Sequence, residues 1–245
     1  MRPERHRYGR RPAQFAELRR PEGASPPPVA VVIHGGFWKA RYGRRLMGAV
    51  CEDLAARGWA AWNVEYRRLG PLSRGGWPAT LDDVGAAIDA LAGVPGLDLR
   101  RVVAVGHSAG GHLAAWAATR GDEAAVRVTG VVAQAGVVDL RLASELRLSN
   151  GVVHRFLGGT PDAVPDRYAA ASPAERLPLG VPVLLTHGGR DENVPLQMSE
   201  RFAAAARAAG DDVSLCVLED EDHFGHIDPG NPLWRAAAEW MEARR

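Results

Sequence analysis

Residues 101–112 constrain the fold of this chain more than any other stretch. They begin with the small and β-branched run RVVAV, which predicts a buried strand, and the sequence LAAWAA after them predicts a helix. Between the two lies Gly106-His107-Ser108-Ala109-Gly110, a G-x-S-x-G pattern. A sharp strand-to-helix turn strains its central residue, and flanking glycines leave room for it. The context predicts a nucleophile elbow that presents the Ser108 hydroxyl; a glycine-rich turn with an incidental serine is the alternative.

Strand and helix patterns alternate along the rest of the chain, which is typical of a mostly parallel sheet with helices on both faces. The predicted strands are 29–33, 59–66, 101–107, 128–135, 181–187 and 212–218, with a possible edge strand at 15–19. The predicted helices are 44–57, 78–92, 196–209 and 232–245. Residues 140–180 interrupt the alternation, and an insertion this long is usually functional. The prediction is one α/β domain over residues 1–245, with 140–180 as a small cap over the carboxyl edge of the sheet.

The composition argues against several classes of partner. A net charge of +1 gives no reason to expect nucleic acid, and no apolar run is long enough to cross a membrane. The arginine-rich residues 1–20 lack the apolar core of a signal peptide. Cys51 and Cys216 have no second thiol or histidine at metal-binding spacing, so both are expected to be buried in a reducing, cytoplasmic protein. No metal or other cofactor is predicted, and the oligomeric state is left open.

Two polar residues follow other predicted strands, at the edge where such sheets bind ligands. A serine nucleophile needs a base and a third group to orient that base. Asp191 is the candidate acid; Glu192 is its neighbouring alternative, and a simple helix-capping role is also open for Asp191. His223 is the candidate base, with His226 as its rival, because His223 is nearer the strand end, where a short loop can reach Ser108.

The first strong strand ends in the sequence HGGFW, residues 34–38. A loop of this kind can point backbone N–H groups at a developing oxyanion. Gly36 and Phe37, with Ala109 at the start of the elbow helix, are the predicted donors; a plain strand-end turn is the alternative. Three aromatic residues beside the motifs are expected to line a substrate pocket: Trp38, Trp77 and Phe224.

Charged residues near a predicted strand end have a structural interpretation. Glu65 and Arg67 flank Tyr66, and two charges at a sheet edge are usually paired. Arg67 is expected to bridge to Asp83 on the following helix rather than to take part in catalysis.

The order Ser108, Asp191, His223 resembles that of the α/β-hydrolase superfamily, in particular the esterase, lipase and kynurenine-formamidase-like group. The resemblance covers residues 8 to 241. The features similar to formamidase-like members are Tyr8-Gly9 with Pro12 and Gln14, and the HGG-x-W loop. The feature similar to hormone-sensitive-lipase-like esterases is Trp77-Pro78-Ala79 with Asp83. Phe37 replaces the third glycine of the HGGG form, so its ring is expected to narrow the acyl pocket.

The resemblance implies a serine hydrolase that cleaves small carboxylic esters with short acyl groups through an acyl-enzyme. Three alternatives stay open: an arylformamidase acting on N-formyl amides, a prolyl-oligopeptidase-like peptidase, and a non-catalytic ligand-binding relative. The expected partner is therefore a small-molecule ester or amide.

Overall fold

Eight strands form one sheet in the part of the chain that the structure, a computed structural model, describes: residues 3–23, 25–121 and 124–245. The strands are β1 (Glu4–Arg7), β2 (Phe15–Arg19), β3 (Pro28–Ile33), β4 (Ala60–Glu65), β5 (Asp98–His107), β6 (Gly130–Gln134), β7 (Val183–Gly188) and β8 (Val213–Leu218). Their order across the sheet is β1-β2-β4-β3-β5-β6-β7-β8. The pairs β1–β2 and β2–β4 are antiparallel and the rest are parallel, which confirms the predicted α/β-hydrolase fold class.

Strand β3 is apolar along its whole length because both faces of the sheet are covered there. In β3 every residue is buried. Its side chains alternate between the two faces: Val29 and Val31 belong to one core cluster, and Ala30 and Val32 to the other. Strand β3 therefore contributes to a core on each side of the sheet, as helices on both faces require.

Helices cover both faces. Those of the described chain are α1 (Gly48–Ala56), α2 (Ala79–Asp89), α3 (Ala109–Ala118), α4 (Leu140–Glu145), α5 (Leu148–Leu157), α6 (Pro165–Ala171), α7 (Gln197–Ala208) and α8 (Pro232–Glu242). Leu54 of α1 and Trp234 of α8 pack on one face, and Val84 of α2, Leu113 of α3 and Phe202 of α7 on the other. Among these described helices, none is long and apolar enough to cross a membrane.

The three short helices α4 to α6 occupy the insertion that the sequence analysis interprets as a cap. The insertion is fastened to α3, since His112 Nε2 donates to the Ala171 carbonyl at 2.9 Å and Trp116 Nε1 to the Ala170 carbonyl at 3.1 Å. It is also fastened to the loop after β3, where the Phe156 ring stacks on Trp38 with centroids 4.4 Å apart. These contacts place the insertion beside the loop that carries the predicted oxyanion donors.

Two predictions about the edges of the sheet are wrong. β2 is not an edge strand, because β1 pairs outside it. β1 is a short, largely exposed polar segment, so it carries no apolar alternation that a sequence reading could detect. Cys216 is only partly buried, because its strand, β8, lies at the other edge of the sheet.

The predicted ion pair between Arg67 and Asp83 is confirmed. The Asp83 side chain is 1% exposed and accepts from the Arg67 Nη2 at 2.6 Å, the Arg67 backbone N–H at 2.9 Å and the Gln14 amide at 2.7 Å. The pair therefore fastens the loop after β4 to α2 and to the segment before β2.

We expect Asp83→Asn to lower the free energy of unfolding by about 2–4 kcal/mol, because it leaves the partly buried Arg67 guanidinium without a counter-charge. Urea denaturation followed by circular dichroism measures this. The matched control is Asp82→Asn, which removes the same charge from the exposed neighbour; an equal loss in both variants would contradict the assigned role of the pair.

Candidate active site

Ser108 sits on a strained turn between β5 and α3. Its backbone has φ 57° and ψ −119°, a conformation that L-residues rarely adopt. Two glycines permit the turn: a Cβ on Gly106 would lie 2.0 Å from the Gly110 carbonyl oxygen, and a Cβ on Gly110 would lie 2.0 Å from that of Ile33. The Ser108 N–H donates to the Gln134 carbonyl at 2.7 Å, which ties the turn to β6. The local geometry is that of the predicted nucleophile elbow.

Asp191 and His223 meet at the same edge of the sheet. His223 Nδ1 donates to Asp191 Oδ2 at 2.6 Å, and the Asp191 side chain is fully buried. The other oxygen, Oδ1, accepts the backbone N–H groups of Asn193 and Val194, each at 2.8 Å. Burial alone would raise the pKa of Asp191, but these hydrogen bonds and the charge that His223 can carry hold it below its usual value. The carboxylate is thus ionised and fixes the orientation of the His223 ring.

His107, the residue directly before Ser108, contacts His223. The His107 Nε2–H donates to the His223 backbone carbonyl at 2.8 Å, and the two imidazole centroids are 4.5 Å apart. No hydrogen bond within the described chain joins Ser108 Oγ to His223 Nε2, and such bonds are often long before a substrate binds. With Nδ1 held by Asp191, the Nε2 of His223 is the nitrogen left to accept a proton.

His226 occupies a different environment from His223. It is 0% exposed, its Nδ1 is hydrogen-bonded to Thr186 Oγ1 at 3.1 Å, and its carbonyl accepts from the Gln134 amide at 3.0 Å. Burial, with the neighbouring imidazoles, lowers the pKa of His226 well below its ordinary value. This geometry favours His223 over His226 as the base.

The loop after β3 packs directly against the elbow. A Cβ on Gly35 would lie 2.6 Å from the His107 carbonyl oxygen and 3.0 Å from the Ser108 Cβ, so only glycine permits this approach. The next three residues have positive φ: Gly36 at 105°, Phe37 at 49° and Trp38 at 54°. Within the described residues, the N–H groups of Gly36 and Phe37 have no hydrogen-bond acceptor, and neither has the N–H of Ala109. All three predicted oxyanion donors are therefore free.

A buried pair lies beneath this loop. His34 Nε2 is 3.1 Å from Glu65 Oε1, and His34 Nδ1 is 2.8 Å from the Gly35 carbonyl. Tyr66 stacks on His34 and donates to its carbonyl at 2.8 Å. Burial alone would raise the pKa of Glu65, but the hydrogen bond to His34 and the charges of His34 and Arg68 keep it low. The sequence analysis expects a pair at Glu65 but not this partner, because His34 belongs to a distant motif.

The three aromatic residues predicted to line the pocket differ in position. Phe224 is 57% exposed and stands edge-on to His223, with ring centroids 5.4 Å apart, so it lies at the rim. Trp77 is partly buried. The prediction for Trp38 is wrong: its side chain is 0% exposed, stacked on Phe156 and against His112. The positive φ of Phe37 and Trp38 turns the indole inward, which adjacency to a motif could not predict.

No group of three or more His, Cys, Asp or Glu side chains in the described chain is arranged to hold a metal ion.

Comparison with known proteins identifies the family of this chain. The BD-FAE family profile matches residues 18–205. The esterase LipC of Mycobacterium tuberculosis is 31% identical over 221 residues; the match covers 82% of this chain and 54% of LipC, so the chain spans about half the length of that relative. The uncharacterized peptidase YtmA of Bacillus subtilis is 28% identical, and the match covers 92% of this chain and 90% of YtmA.

Among solved structures, a truncated carbohydrate esterase from gut microbiota superimposes with a TM-score of 0.83 at 20% identity, covering 98% of this chain and 94% of that one. At this identity the likeness supports the fold. The profile match over residues 18–205 shows that the chain belongs to the BD-FAE family, and with the LipC match it identifies the esterase and lipase group of the α/β-hydrolase superfamily.

Proposed function

We propose that this protein is a serine hydrolase that cleaves small carboxylic esters with short acyl groups. The observation that carries the proposal is the 2.6 Å hydrogen bond between His223 and a buried Asp191, beside a serine held at positive φ. Three strand ends supply the three residues, so their convergence depends on the fold rather than on one local motif. The esterase name of LipC supports the ester as substrate.

In the proposed first step, His223 Nε2 takes the Ser108 proton while Oγ attacks the acyl carbon. The ester carbonyl becomes an oxyanion, and Asp191 stabilises the imidazolium. His223 then returns its proton to the departing alkoxide, which leaves as the alcohol, and Ser108 carries the acyl group. Water, deprotonated by His223, repeats the sequence and releases the carboxylic acid.

The oxyanion is stabilised by backbone N–H groups in this proposal. Those of Gly36, Phe37 and Ala109 have no hydrogen-bond acceptor in the described chain, and Gly35 lets their loop touch the Ser108 side chain. Donors already fixed in place cost little reorganisation when charge develops. The buried His34–Glu65 pair supports the loop from below, as a positioning element.

Amide and peptide substrates remain alternatives. Neither LipC nor YtmA is named as a formamidase, so the formamidase resemblance stays a prediction. YtmA, which matches this chain over nearly its whole length, is named as a peptidase. Peptide hydrolysis is therefore the second candidate. Parallel assays on an acetyl ester, an N-formyl arylamine and a peptidyl anilide would rank the three classes.

We expect Ser108→Ala to lower kcat for a short-chain ester by on the order of 10⁴-fold or more, because members of such a triad act as a unit. An organophosphonate should label the intact protein at Ser108, as read by mass spectrometry of peptides. Full activity in the alanine variant, or labelling at a different serine, would refute the proposed nucleophile.

The two candidate histidines can be compared directly. We expect His223→Gln to reduce kcat by about 10³-fold or more, since the base and its contact with Asp191 are lost. His226→Gln is the matched control, because it changes the neighbouring imidazole in the same way, and it should cost far less. Steady-state kinetics and circular dichroism of both variants decide the matter, and equal losses in two folded variants would contradict the assignment.

Phe37 should set the acyl length. Its ring stands beside the predicted oxyanion donors, and each methylene that it keeps in water forgoes about 0.8 kcal/mol of burial. We expect acetyl esters to exceed octanoyl esters about tenfold or more in kcat/KM, and Phe37→Gly to shift the optimum to longer chains. Glycine also fits the positive φ at this position, so the variant should remain folded. An unchanged chain-length profile in the glycine variant would overturn the idea.

A further inference from the structure

Lys39 is the only lysine in the sequence. Lysine and arginine together number 30, and all of these other than Lys39 are arginines. The two cations differ physically: an ammonium is a compact point charge with three rotatable donors, whereas a guanidinium is a planar fork. Lys39 follows the predicted oxyanion donor Phe37 by two positions, so this single ammonium stands at the margin of the candidate active site.

The ammonium group is held in place from two sides. Its Nζ donates to Ser149 Oγ at 2.7 Å and lies 5.7 Å from the centroid of the Phe37 ring. Ser149 is the second residue of the cap helix α5 and has a left-handed backbone, with φ 46°. Lys39 therefore spans the seam, by which we mean the contact between the loop after β3 and the cap. Within the described residues, one of its three donors is used by the protein.

The surroundings of Lys39 are cationic. Burial lowers the pKa of Lys39, and the positive charges of Arg41 and Arg155 lower it further. Both arginines are exposed. Among the ion pairs of the described residues, none includes Lys39, Arg41 or Arg155.

Several other partly buried cations of the described chain differ from Lys39 because they have a counter-charge. Four of them, with side chains 14–21% exposed, each pair with a carboxylate: Arg44 with Glu17, Arg67 with Asp83, Arg68 with Glu65, and Arg120 with Asp89. A partly buried charge without a counter-charge is costly. The unpaired ammonium of Lys39 therefore indicates that its counter-charge arrives with a ligand.

We propose that Lys39 is a specificity-determining residue that binds an anionic group of the substrate, so that the preferred esters carry a carboxylate. This rests on the proposed esterase function and adds the substrate class. The two free donors of the ammonium bind the carboxylate oxygens, and Arg41 and Arg155 attract the anion to the seam. The carboxylate belongs either to the acyl half of the ester or to the alcohol half.

Matched substrates test the proposal. Monoethyl succinate and ethyl succinamate differ by a carboxylate and an amide on the acyl half; 4-acetoxybenzoate and 4-acetoxybenzamide differ in the same way on the alcohol half. For at least one pair, the wild-type protein should favour the anion, and Lys39→Met should lower kcat/KM for the anion about tenfold more than for its neutral partner. Lys39→Arg should restore part of the preference, and added salt should weaken it.

Two control variants separate charge recognition from other effects. Ser149→Ala removes the tether but keeps the ammonium, so the ratio of anionic to neutral kcat/KM should persist. Arg235→Met removes one exposed positive charge from α8, on the opposite face of the sheet from α3, and should leave the ratio as in the wild type.

The outcomes distinguish the two levels of the proposal. Equal loss for anionic and neutral esters in Lys39→Met would make Lys39 a tether for the cap and overturn anion binding. An unchanged ratio for both substrate pairs would overturn it as well. If the wild-type protein hydrolyses neither the neutral nor the anionic esters, the esterase function itself fails, whatever the role of Lys39.

Discussion

The backbone conformation of Ser108 depends on a close backbone contact, where β3, β5 and α3 meet without side chains. Gly35, Gly106 and Gly110 each stand where a Cβ would lie 2.6 Å or less from a carbonyl oxygen. Two motifs far apart in the sequence are thus one packing unit. The loop with the free N–H groups and the strained serine hold each other in place, so the separation of the proposed nucleophile from the predicted donors is set by backbone contact, which deforms less than side-chain packing.

Burial also controls the electrostatics around His223. It lowers the pKa of His107 to about 3, lowers that of His187, and keeps His226 neutral as well. In the proposed mechanism, a proton transfer from Ser108 makes the His223 ring positive, and positively charged neighbours would oppose that step. The cluster instead offers neutral rings on one side and the ionised Asp191 on the other. Burial keeps these histidines uncharged, which makes them poor bases. For the same reason they are suitable neighbours of the proposed base, His223.

Local sequence patterns predicted most of the fold and much of the candidate site. Alternating apolar runs located the central strands, and the glycine spacing around Ser108 located the elbow, because both are set by nearest-neighbour sterics. Side-chain direction was not predictable in the same way. Trp38 adjoins a motif yet points into the core, since its positive φ depends on the packing of the cap. The partner of Glu65 could not be predicted from the sequence either, because it is the pairing of β3 with β4 that brings Glu65 beside His34.

The stack of Trp38 on Phe156 has a consequence for specificity. It fixes the cap to the same loop that carries Gly36 and Phe37, and Trp77 adds a backbone hydrogen bond to the Phe156 carbonyl at 2.7 Å. In the proposed mechanism, a displacement of the cap would therefore also displace the predicted oxyanion donors, whose productive geometry tolerates only a few tenths of an ångström. The fit of a substrate against the cap and the stabilisation of the transition state would then be coupled through this aromatic contact, together with the hydrogen bond from Lys39 to Ser149.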